Sequence, residues 1–349
     1  MVAGPKRSRR RYRTGDSSLD AKIAELVEAS GSSADSELLT DMLTSCLRVA
    51  RDRADRGEMK LVNAALKEFA YAFKVFKRYR GVRKVSIFGS SRSTPEDSDY
   101  RCALRFAAAM AERGWMVITG AGPGIMEAGH QGAGAERSFG ANIRLPMDVE
   151  PNEVIEGDPK LINFKYFFTR KVTFLKESDA FALFPGGFGT MDEAFELLTL
   201  MQTGKSDLHP VVLLEAEGGG YWDDWRRFID DHLVRPGLIS PEDLELVYIT
   251  DSTKAAIGEI ERFYRNYHSQ RYVNGVLVLR LQRLPGRRSL ARLSREFADI
   301  LRSGRLRAVE PSEDEVAEGD FVELPRLALD FDQRCNGRLR GLIDALNEF

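Results

Sequence analysis

The stretch from Asp179 to Leu200, DAFALFPGGFGTMDEAFELLTL, constrains the fold of this chain most strongly. Its apolar run, Ala180 to Phe184, is uninterrupted and ends at Pro185, which predicts a buried parallel strand. Three glycines then allow a tight turn, and the residues after them have the apolar spacing of an amphipathic helix. A helix N-terminus above a strand end offers unpaired backbone N–H groups to an anion, so the stretch predicts a phosphate site.

The segments on either side alternate between strand and helix patterns. Lys84 to Phe88 and Trp115 to Thr119 are predicted strands, with a helix from Tyr100 to Arg113 between them. Further predicted strands are Ala141 to Leu145, Pro210 to Glu215 and Leu246 to Thr250, and further helices are Trp222 to Leu233 and Thr253 to Tyr267. This order predicts an α/β protein with a Rossmann-like, doubly wound parallel sheet, whose ligand sites lie at the carboxyl ends of the strands.

Two flanks extend the predicted sheet domain, and we expect four segments in all. Residues 1–17 form a basic, disordered arm, residues 18–80 a helical extension, residues 81–268 the Rossmann-like domain and residues 269–349 a small α+β appendage. Within the appendage we predict strands at Val276 to Leu281 and Phe321 to Leu324, helices at Ser289 to Leu301 and Asp330 to Leu346, and a charged linker at Glu310 to Asp320.

The composition restricts the cellular compartment of the chain and the classes of partner that it binds. A formal net charge of −2 over 349 residues creates no global electrostatic field that would attract the chain to nucleic acid or membrane. Only the basic arm leaves nucleic-acid binding as an alternative. The three cysteines are widely spaced and lack a CxxC pair, which is typical of a reducing compartment. The sequence shows neither an apolar run of about 18 residues nor a signal peptide. We therefore predict a cytoplasmic protein without a membrane or nucleic-acid partner.

The motif PGGFGTMDE, with Arg170-Lys171 upstream in FFTRKVTFLKESDAF, carries a resemblance to a known family. It resembles the PGGxGTxxE signature and upstream Arg-Lys pair of the LOG ("lonely guy") family, whose members hydrolyse the N-glycosidic bond of nucleoside 5′-monophosphates to a free base and ribose 5-phosphate. The resemblance covers roughly Val82 to Tyr267. The segments FFTRK and FPGGFGT are closer in sequence to the larger bacterial members that act as general nucleotide nucleosidases than to the short plant-type enzymes.

The resemblance implies two catalytic residues, Arg170 and Glu193. Cleavage of a C1′–N bond develops oxocarbenium character on the ribose, which a carboxylate stabilises while it orients water. Glu193 is the predicted carboxylate, and Arg170 is the matching cation, which binds phosphate or polarises the site. Asp192 replaces a glutamate of the shorter relatives, and capping the helix is its alternative role.

The same resemblance implies a set of substrate-binding residues on several loops. It consists of Ser90, Gly122, Gly124, Asp148, Lys171, Gly186, Gly187, Gly189, Thr190 and Thr199. The loop Gly120 to Glu127 does not have GxGxxG spacing, so we interpret it as a wall of the nucleotide site and not as an NAD site. Asp148 stands where the family has a carboxylate, with Glu150 and Glu153 as alternatives. For Thr199, a purely structural position on a helix face is an equally good interpretation.

No metal or cofactor is predicted. The four histidines are scattered without metal-ligand spacing, and the P-loop pattern GxxxxGK[ST] is absent from the sequence. LOG-like chains have also been labelled lysine decarboxylases, but no lysine here is marked out for a Schiff base with pyridoxal phosphate.

The expected partners are a nucleoside monophosphate and further copies of the chain. The helical stretch Val62 to Phe76 has more large apolar and aromatic side chains than one exposed helix leaves in water, which predicts an interface. The resemblance indicates the same, because LOG proteins pair through helices next to the active site. We expect a dimer, with a tetramer as the next state. A non-catalytic nucleotide sensor is the alternative function, and release of free base and ribose 5-phosphate distinguishes the two.

Overall fold

The structure, a computed structural model, describes residues 12–31, 35–145 and 150–349, and the chain forms two compact units, residues 1–68 and 69–349. The first unit contains helices α1 (Ser17–Ala29) and α2 (Ser36–Arg51) and most of α3 (Arg56–Phe76). The Asp16 carboxylate caps α1 by accepting two backbone N–H groups of its first turn. The first eleven residues of the predicted basic arm lie outside the described residues.

The second unit is built around a sheet of seven parallel strands. In chain order they are β1 (Lys84–Phe88), β2 (Met116–Thr119), β3 (Ser138–Ile143), β4 (Leu161–Phe164), β5 (Ala180–Leu183), β6 (Val211–Leu214) and β7 (Tyr248–Thr250). Their order across the sheet is β4-β3-β2-β1-β5-β6-β7. The direction of winding reverses between β1 and β5, so the connections leaving these two strands diverge and open a crevice at their carboxyl ends.

Helices cover both faces of this sheet, which confirms the predicted α/β class. They are α4 (Ser98–Glu112), α5 (Ile125–Ala133), α6 (Phe167–Glu177), α7 (Phe188–Gln202), α8 (Tyr221–Ile229) and α9 (Thr253–Phe263). A π-helix, Asp230–Val234, directly continues α8. Within the described ranges, no helix is both long and apolar enough to cross a membrane.

A second, antiparallel sheet follows, with strand order β10-β11-β9-β8. Its elements are β8 (Tyr267–Val273), β9 (Val276–Leu281), α10 (Arg287–Glu296), β10 (Leu301–Val309), α11 (Glu313–Glu318), β11 (Arg326–Phe331) and α12 (Asn336–Leu346). The leucines on one face of β9 share a hydrophobic core with Phe181 of β5, Leu197 of α7 and Leu342 of α12. This confirms the α+β appendage, while its predicted start at residue 269 stays a prediction.

Several predicted boundaries at the end of the Rossmann-like domain and in the appendage are wrong. The helix predicted to reach Tyr267 ends at Phe263, because the Asn347 side chain accepts the backbone N–H groups of Asn266 and Tyr267, at 3.0 and 2.8 Å, and starts β8 there. The strand predicted at Phe321 does not form, since Phe321 has a left-handed backbone (φ 49°), and the strand lies at β11 instead. The predicted linker contains α11, and the segment after α10 contains β10.

A buried ion network holds α11 against the second sheet. The Glu315 carboxylate is 2.9 Å from Arg280 Nη2 and 3.3 Å from Arg326 Nε, and all three side chains are buried. Burial acts to raise the pKa of Glu315, but hydrogen bonds from Ser312 and Arg280 outweigh it and lower that pKa to about 2. Removing one member of such a network leaves a buried charge without compensation.

We predict that Glu315→Gln lowers the free energy of unfolding at pH 7 by about 3–5 kcal/mol, because Arg280 and Arg326 lose their shared anion. Since the folded pKa of Glu315 lies below the ordinary 4.5, this stabilisation is present above pH 4.5 and is lost as the pH falls toward 2. Urea unfolding of the wild type and the variant between pH 7 and pH 3 measures both effects. Glu318→Gln is the control, because Glu318 is exposed, and equal losses in the two variants would contradict the prediction.

Candidate active site

Three loops meet at the crevice between β1 and β5. The backbone N–H of Ser90, after β1, donates to the carbonyl of Pro185, after β5, at 3.0 Å. The Ser90 carbonyl accepts the N–H of Ile125, at the start of α5, also at 3.0 Å. Gly124 has a positive φ of 71°, and a Cβ there would lie 2.3 Å from the Ser90 carbonyl oxygen. The structure therefore brings together Ser90 and Gly124 by backbone contacts that only glycine permits.

The glycine turn after β5 leads directly into α7, as predicted. A Cβ on Gly186 would lie 2.2 Å from Thr190 Oγ1 and 3.0 Å from the carbonyl carbon of Gly89. The hydroxyl of Tyr221 donates to the Gly186 carbonyl at 2.6 Å and fixes the turn from the other side. Within the described ranges no side chain caps α7 at Gly187, and the Thr190 N–H donates to the Gly187 carbonyl, so in its first turn the N–H groups of Phe188 and Gly189 are the ones available to an anion.

Three charged side chains, the charged trio Arg170, Lys171 and Glu193, face one another between α6 and α7. Arg170 Nη2 lies 3.8 Å from Glu193 Oε1, and Lys171 Nζ lies 3.6 Å from Glu193 Oε2. Lys171 also pairs with Glu196 at 2.6 Å and with Asp192 at 2.9 Å. The two predicted catalytic residues thus lie side by side, at the distance of an ion pair but without a hydrogen bond between them.

Burial shapes the electrostatics of the trio. It raises the pKa of Glu193, although the cations of Lys171 and Arg170 act to lower it. Burial likewise lowers the pKa of Arg170, while for Lys171 the ion pairs with Glu196 and Asp192 outweigh burial and raise the pKa. Among the described residues, Glu193 Oε1 and Arg170 Nε have no hydrogen-bond partner. Such unsatisfied buried atoms are rare in folded proteins and indicate a place for a ligand.

The loop after β2 is held by a buried polar network that the sequence did not indicate. Ala121, in this loop, has a left-handed backbone with φ 63°. The Asn152 side chain donates to the carbonyls of Ala121 and Gly122, both at 3.0 Å, and the Thr119 hydroxyl accepts the Ala121 N–H. His130 contacts Asn152 at 3.1 Å and Thr119 at 3.0 Å. Burial lowers the pKa of His130, so its neutral form supports the loop.

The structure does not place the predicted carboxylate Asp148 or the predicted Thr199 contact beside the trio in the described residues. Asp148 lies outside the described residues, and the alternatives Glu150 and Glu153 have exposed side chains. Thr199 lies about 240° around α7 from Glu193, and its hydroxyl donates to the Phe195 carbonyl at 2.7 Å. Its substrate contact stays a prediction, as do the roles of the other site residues.

Asp192 pairs with Lys171 and does not cap α7, because the cap position is Gly187. In the part of the chain that the structure describes, no group of three His, Cys, Asp or Glu side chains could hold a metal ion.

The sheet order and the charged trio at its switch point define a Rossmann-like α/β protein with an ionic crevice. A family model described as "Possible lysine decarboxylase" matches residues 118–260. The cytokinin riboside 5′-monophosphate phosphoribohydrolase of Mycobacterium tuberculosis is 30% identical over 157 residues, which cover 44% of this chain and 81% of that protein. A phosphoribohydrolase of the same name from Arabidopsis thaliana is 27% identical over 186 residues, 52% of this chain and 83% of that protein.

On these similarities the chain belongs to the LOG family of phosphoribohydrolases, as its motif predicted, and it is a hydrolase. Among solved structures, the molybdenum cofactor binding protein from Rippkaea orientalis is similar, with 20% identity and a TM-score of 0.38. That match covers 52% of this chain and 96% of the other, and no functional inference rests on it.

We predict that Gly186→Ala lowers the free energy of unfolding by about 1–3 kcal/mol, since the new methyl group collides with Thr190 and the Gly89 backbone. Gly187→Ala is the matched control, because a Cβ at Gly187 meets nothing within 4 Å. Thermal unfolding of the two variants beside the wild type measures the difference. Equal midpoints for all three proteins would show that the turn is not packed as described.

Proposed function

We propose that this chain hydrolyses the N-glycosidic bond of nucleoside 5′-monophosphates and releases a free base and ribose 5-phosphate. The observation that carries the proposal is the buried Glu193 carboxylate facing Arg170 beside the open N-terminus of α7. A phosphate site and a carboxylate next to it are the two elements that this reaction requires. The phosphoribohydrolase names of the relatives support the same reaction class.

In this proposal the turn from Gly186 to Thr190 binds the 5′-phosphate. The first-turn N–H groups of α7 and the positive end of its dipole favour a dianion there. Gly187 and Gly189 are exposed, and no side chain at either position would hold the phosphate away from the backbone. Phosphate binding then positions the ribose, which converts remote binding energy into orientation at C1′.

The chemistry is assigned to the charged trio. Water adds its oxygen to C1′, the C1′–N bond breaks with its electron pair on the base nitrogen, and the proton released from water neutralises the base. Ionised Glu193 stabilises the oxocarbenium character at C1′ and orients the water. Arg170 is placed to bind phosphate or the departing base, while the Lys171 cation acts to lower the pKa of Glu193 against the burial that raises it.

The alternative implied by the description of the family model, a decarboxylase using a lysine Schiff base, is not favoured by the site. A Schiff-base lysine needs a lowered pKa so that its amine is free to attack. Lys171 is the lysine of the trio, and its ion pairs with Glu196 and Asp192 raise its pKa. The lysine is therefore stabilised as a cation, which serves electrostatics and opposes nucleophilic attack.

The oligomer remains a proposal, supported by apolar side chains exposed next to the site. Phe188, at the first position of α7, is 97% exposed, and Phe167 and Phe168 at the start of α6 are about half exposed. Aromatic side chains so placed commonly become buried in an interface.

We predict that Glu193→Gln lowers turnover at least about a hundredfold, because the amide cannot stabilise positive charge at C1′. The folded pKa of Glu193 lies above the ordinary 4.5, so ionisation of this buried group opposes folding above pH 4.5. The variant should then be at least as stable as the wild type at pH 7, with the difference vanishing below pH 4.5. Steady-state kinetics and thermal unfolding at several pH values measure both.

Glu196→Gln is the matched control for this variant. Glu196 lies one turn further along α7 and also pairs with Lys171, but it does not contact Arg170 in the described ion pairs. Its turnover should stay within about fivefold of the wild type. If Glu193→Gln is folded and fully active, or if both variants lose activity equally, the catalytic role of Glu193 is wrong.

We further predict that nucleoside 5′-monophosphates are cleaved at least about a hundredfold faster, in kcat/KM, than the matching nucleosides, since phosphate binding positions the ribose. Gly187→Ala should raise KM for the monophosphate, because its methyl group projects above the turn while the fold is unchanged. Chromatographic detection of the free base from both substrates gives the ratio. Equal rates on adenosine and its monophosphate would mean that the turn binds something else.

A further inference from the structure

The peptide that joins Gly186 to Gly187 in the glycine turn is held by a side chain from the next strand-to-helix connection. Tyr221, the first residue of α8, donates its hydroxyl to the Gly186 carbonyl at 2.6 Å. The peptide is trans, so its carbonyl and its N–H, which belongs to Gly187, point in opposite directions. The phenol therefore fixes the direction of the Gly187 N–H as well as that of the carbonyl that it contacts.

The Gly187 N–H is the first of three consecutive N–H groups at the start of α7. Those of Gly187, Phe188 and Gly189 have no acceptor among the described residues, and all three residues are exposed. Consecutive N–H groups at a helix start suit an anion such as phosphate. The helix itself sets the directions of the second and third groups, whereas the direction of the first depends on the Tyr221 hydroxyl.

A peptide between two glycines can reverse unless something restrains it. Reversal of this peptide plane would change φ of Gly187 from −88° to a positive value, which glycine adopts readily. The site would then present a carbonyl oxygen to the phosphate in place of an N–H, and the partial negative charge of that oxygen repels a dianion. The hydrogen bond from Tyr221 opposes this reversal, because the reversed carbonyl would lose its donor.

Tyr221 is itself held in place at the end of β6. The carboxylate of Glu215, which follows β6, accepts the N–H groups of Tyr221 and Trp222 at 2.8 and 3.2 Å. Glu215 is buried, and a Cβ at Gly219 would collide with its Oε2, so this approach requires glycine. The ring of Trp222 packs edge-on against that of Tyr221, with 4.9 Å between the centroids. The phenol thus reaches the turn from a fixed position.

We propose that Tyr221 is a positioning residue that gives the site its preference for phosphorylated substrates, because it holds the Gly187 N–H toward the 5′-phosphate through the Gly186 carbonyl. The inference rests on the proposed function, since it takes the glycine turn as the phosphate site. The hydroxyl acts on the turn and not on the reacting atoms at C1′. Its contribution therefore lies in binding of the phosphate and not in turnover.

Tyr221→Phe removes the hydroxyl and keeps the ring. We expect KM for adenosine 5′-monophosphate to rise about tenfold and kcat to stay within about threefold. The ratio of kcat/KM for the monophosphate to that for adenosine should fall about tenfold, whereas a purely structural role would lower both rates equally. Tyr264→Phe is the matched control, because Tyr264 also donates to a backbone carbonyl at 2.6 Å, that of Asp179 at the opposite end of β5. It should keep the ratio.

Isothermal titration with ribose 5-phosphate separates this role from the reaction. Tyr221→Phe should weaken binding about tenfold and Tyr264→Phe should not. If this pattern appears while the wild type cleaves no monophosphate, the proposed function is wrong and the role of Tyr221 stands. Should Tyr221→Phe fail to fold, Glu215→Gln, which leaves one acceptor oxygen for two N–H groups, should give the same pattern.

Three results would overturn the role of Tyr221. The first is a folded Tyr221→Phe, or in its place Glu215→Gln, that keeps both the wild-type ratio and the wild-type affinity for ribose 5-phosphate. The second is an equal loss of rate on the monophosphate and on adenosine. The third is a wild type that binds no ribose 5-phosphate at about 10 mM, which is tenfold above the usual range of KM.

Discussion

The backbone of Ser90 is the point on which the rest of the site depends. Its N–H and its carbonyl join the loops after β1, β2 and β5 at the place where the sheet reverses its winding. Backbones that approach so closely leave no room for a Cβ at Gly124 or Gly186. The primary reason for glycine at these two positions is therefore the close packing of the backbone. This packing also fixes the turn in one conformation before any ligand binds, and so holds the open N–H groups at the start of α7 in place.

The charged trio by itself opposes folding, and packing in other parts of the fold offsets this cost. Glu193 is ionisable, buried and lacks a hydrogen bond at Oε1 within the described part of the chain. Such an arrangement opposes folding, and it persists because α6 and α7 are held by apolar contacts on other faces. Leu197 and Met201 of α7 belong to the large core that also contains the leucines of β9 and α12. The second sheet thus supports α7, and with it the proposed site, through packing.

Sequence reasoning succeeded where local signals agreed with the tertiary structure. The bounds of β1 and β9 coincide with the predicted ones, because both are short, mostly apolar segments that are almost completely buried. It failed at β8, where Asn347 decides the start of the strand from far along the chain. It also missed the support of Ala121 by Asn152 and His130, since no motif links residues that only the fold brings together.

The core shared by β5, α7 and α12 has a consequence for folding of the protein during its synthesis. A ribosome completes β5 and α7 long before it reaches Leu339, Leu342 and Leu346, which cover the same apolar surface. Until then the part of the nascent sheet around β5 carries a hydrophobic surface that is incompletely covered, while the opposite face is already packed by α4 and α9. We therefore expect α7 to be among the last parts of the second unit to become rigid, with chaperone demand concentrated on that interval of synthesis.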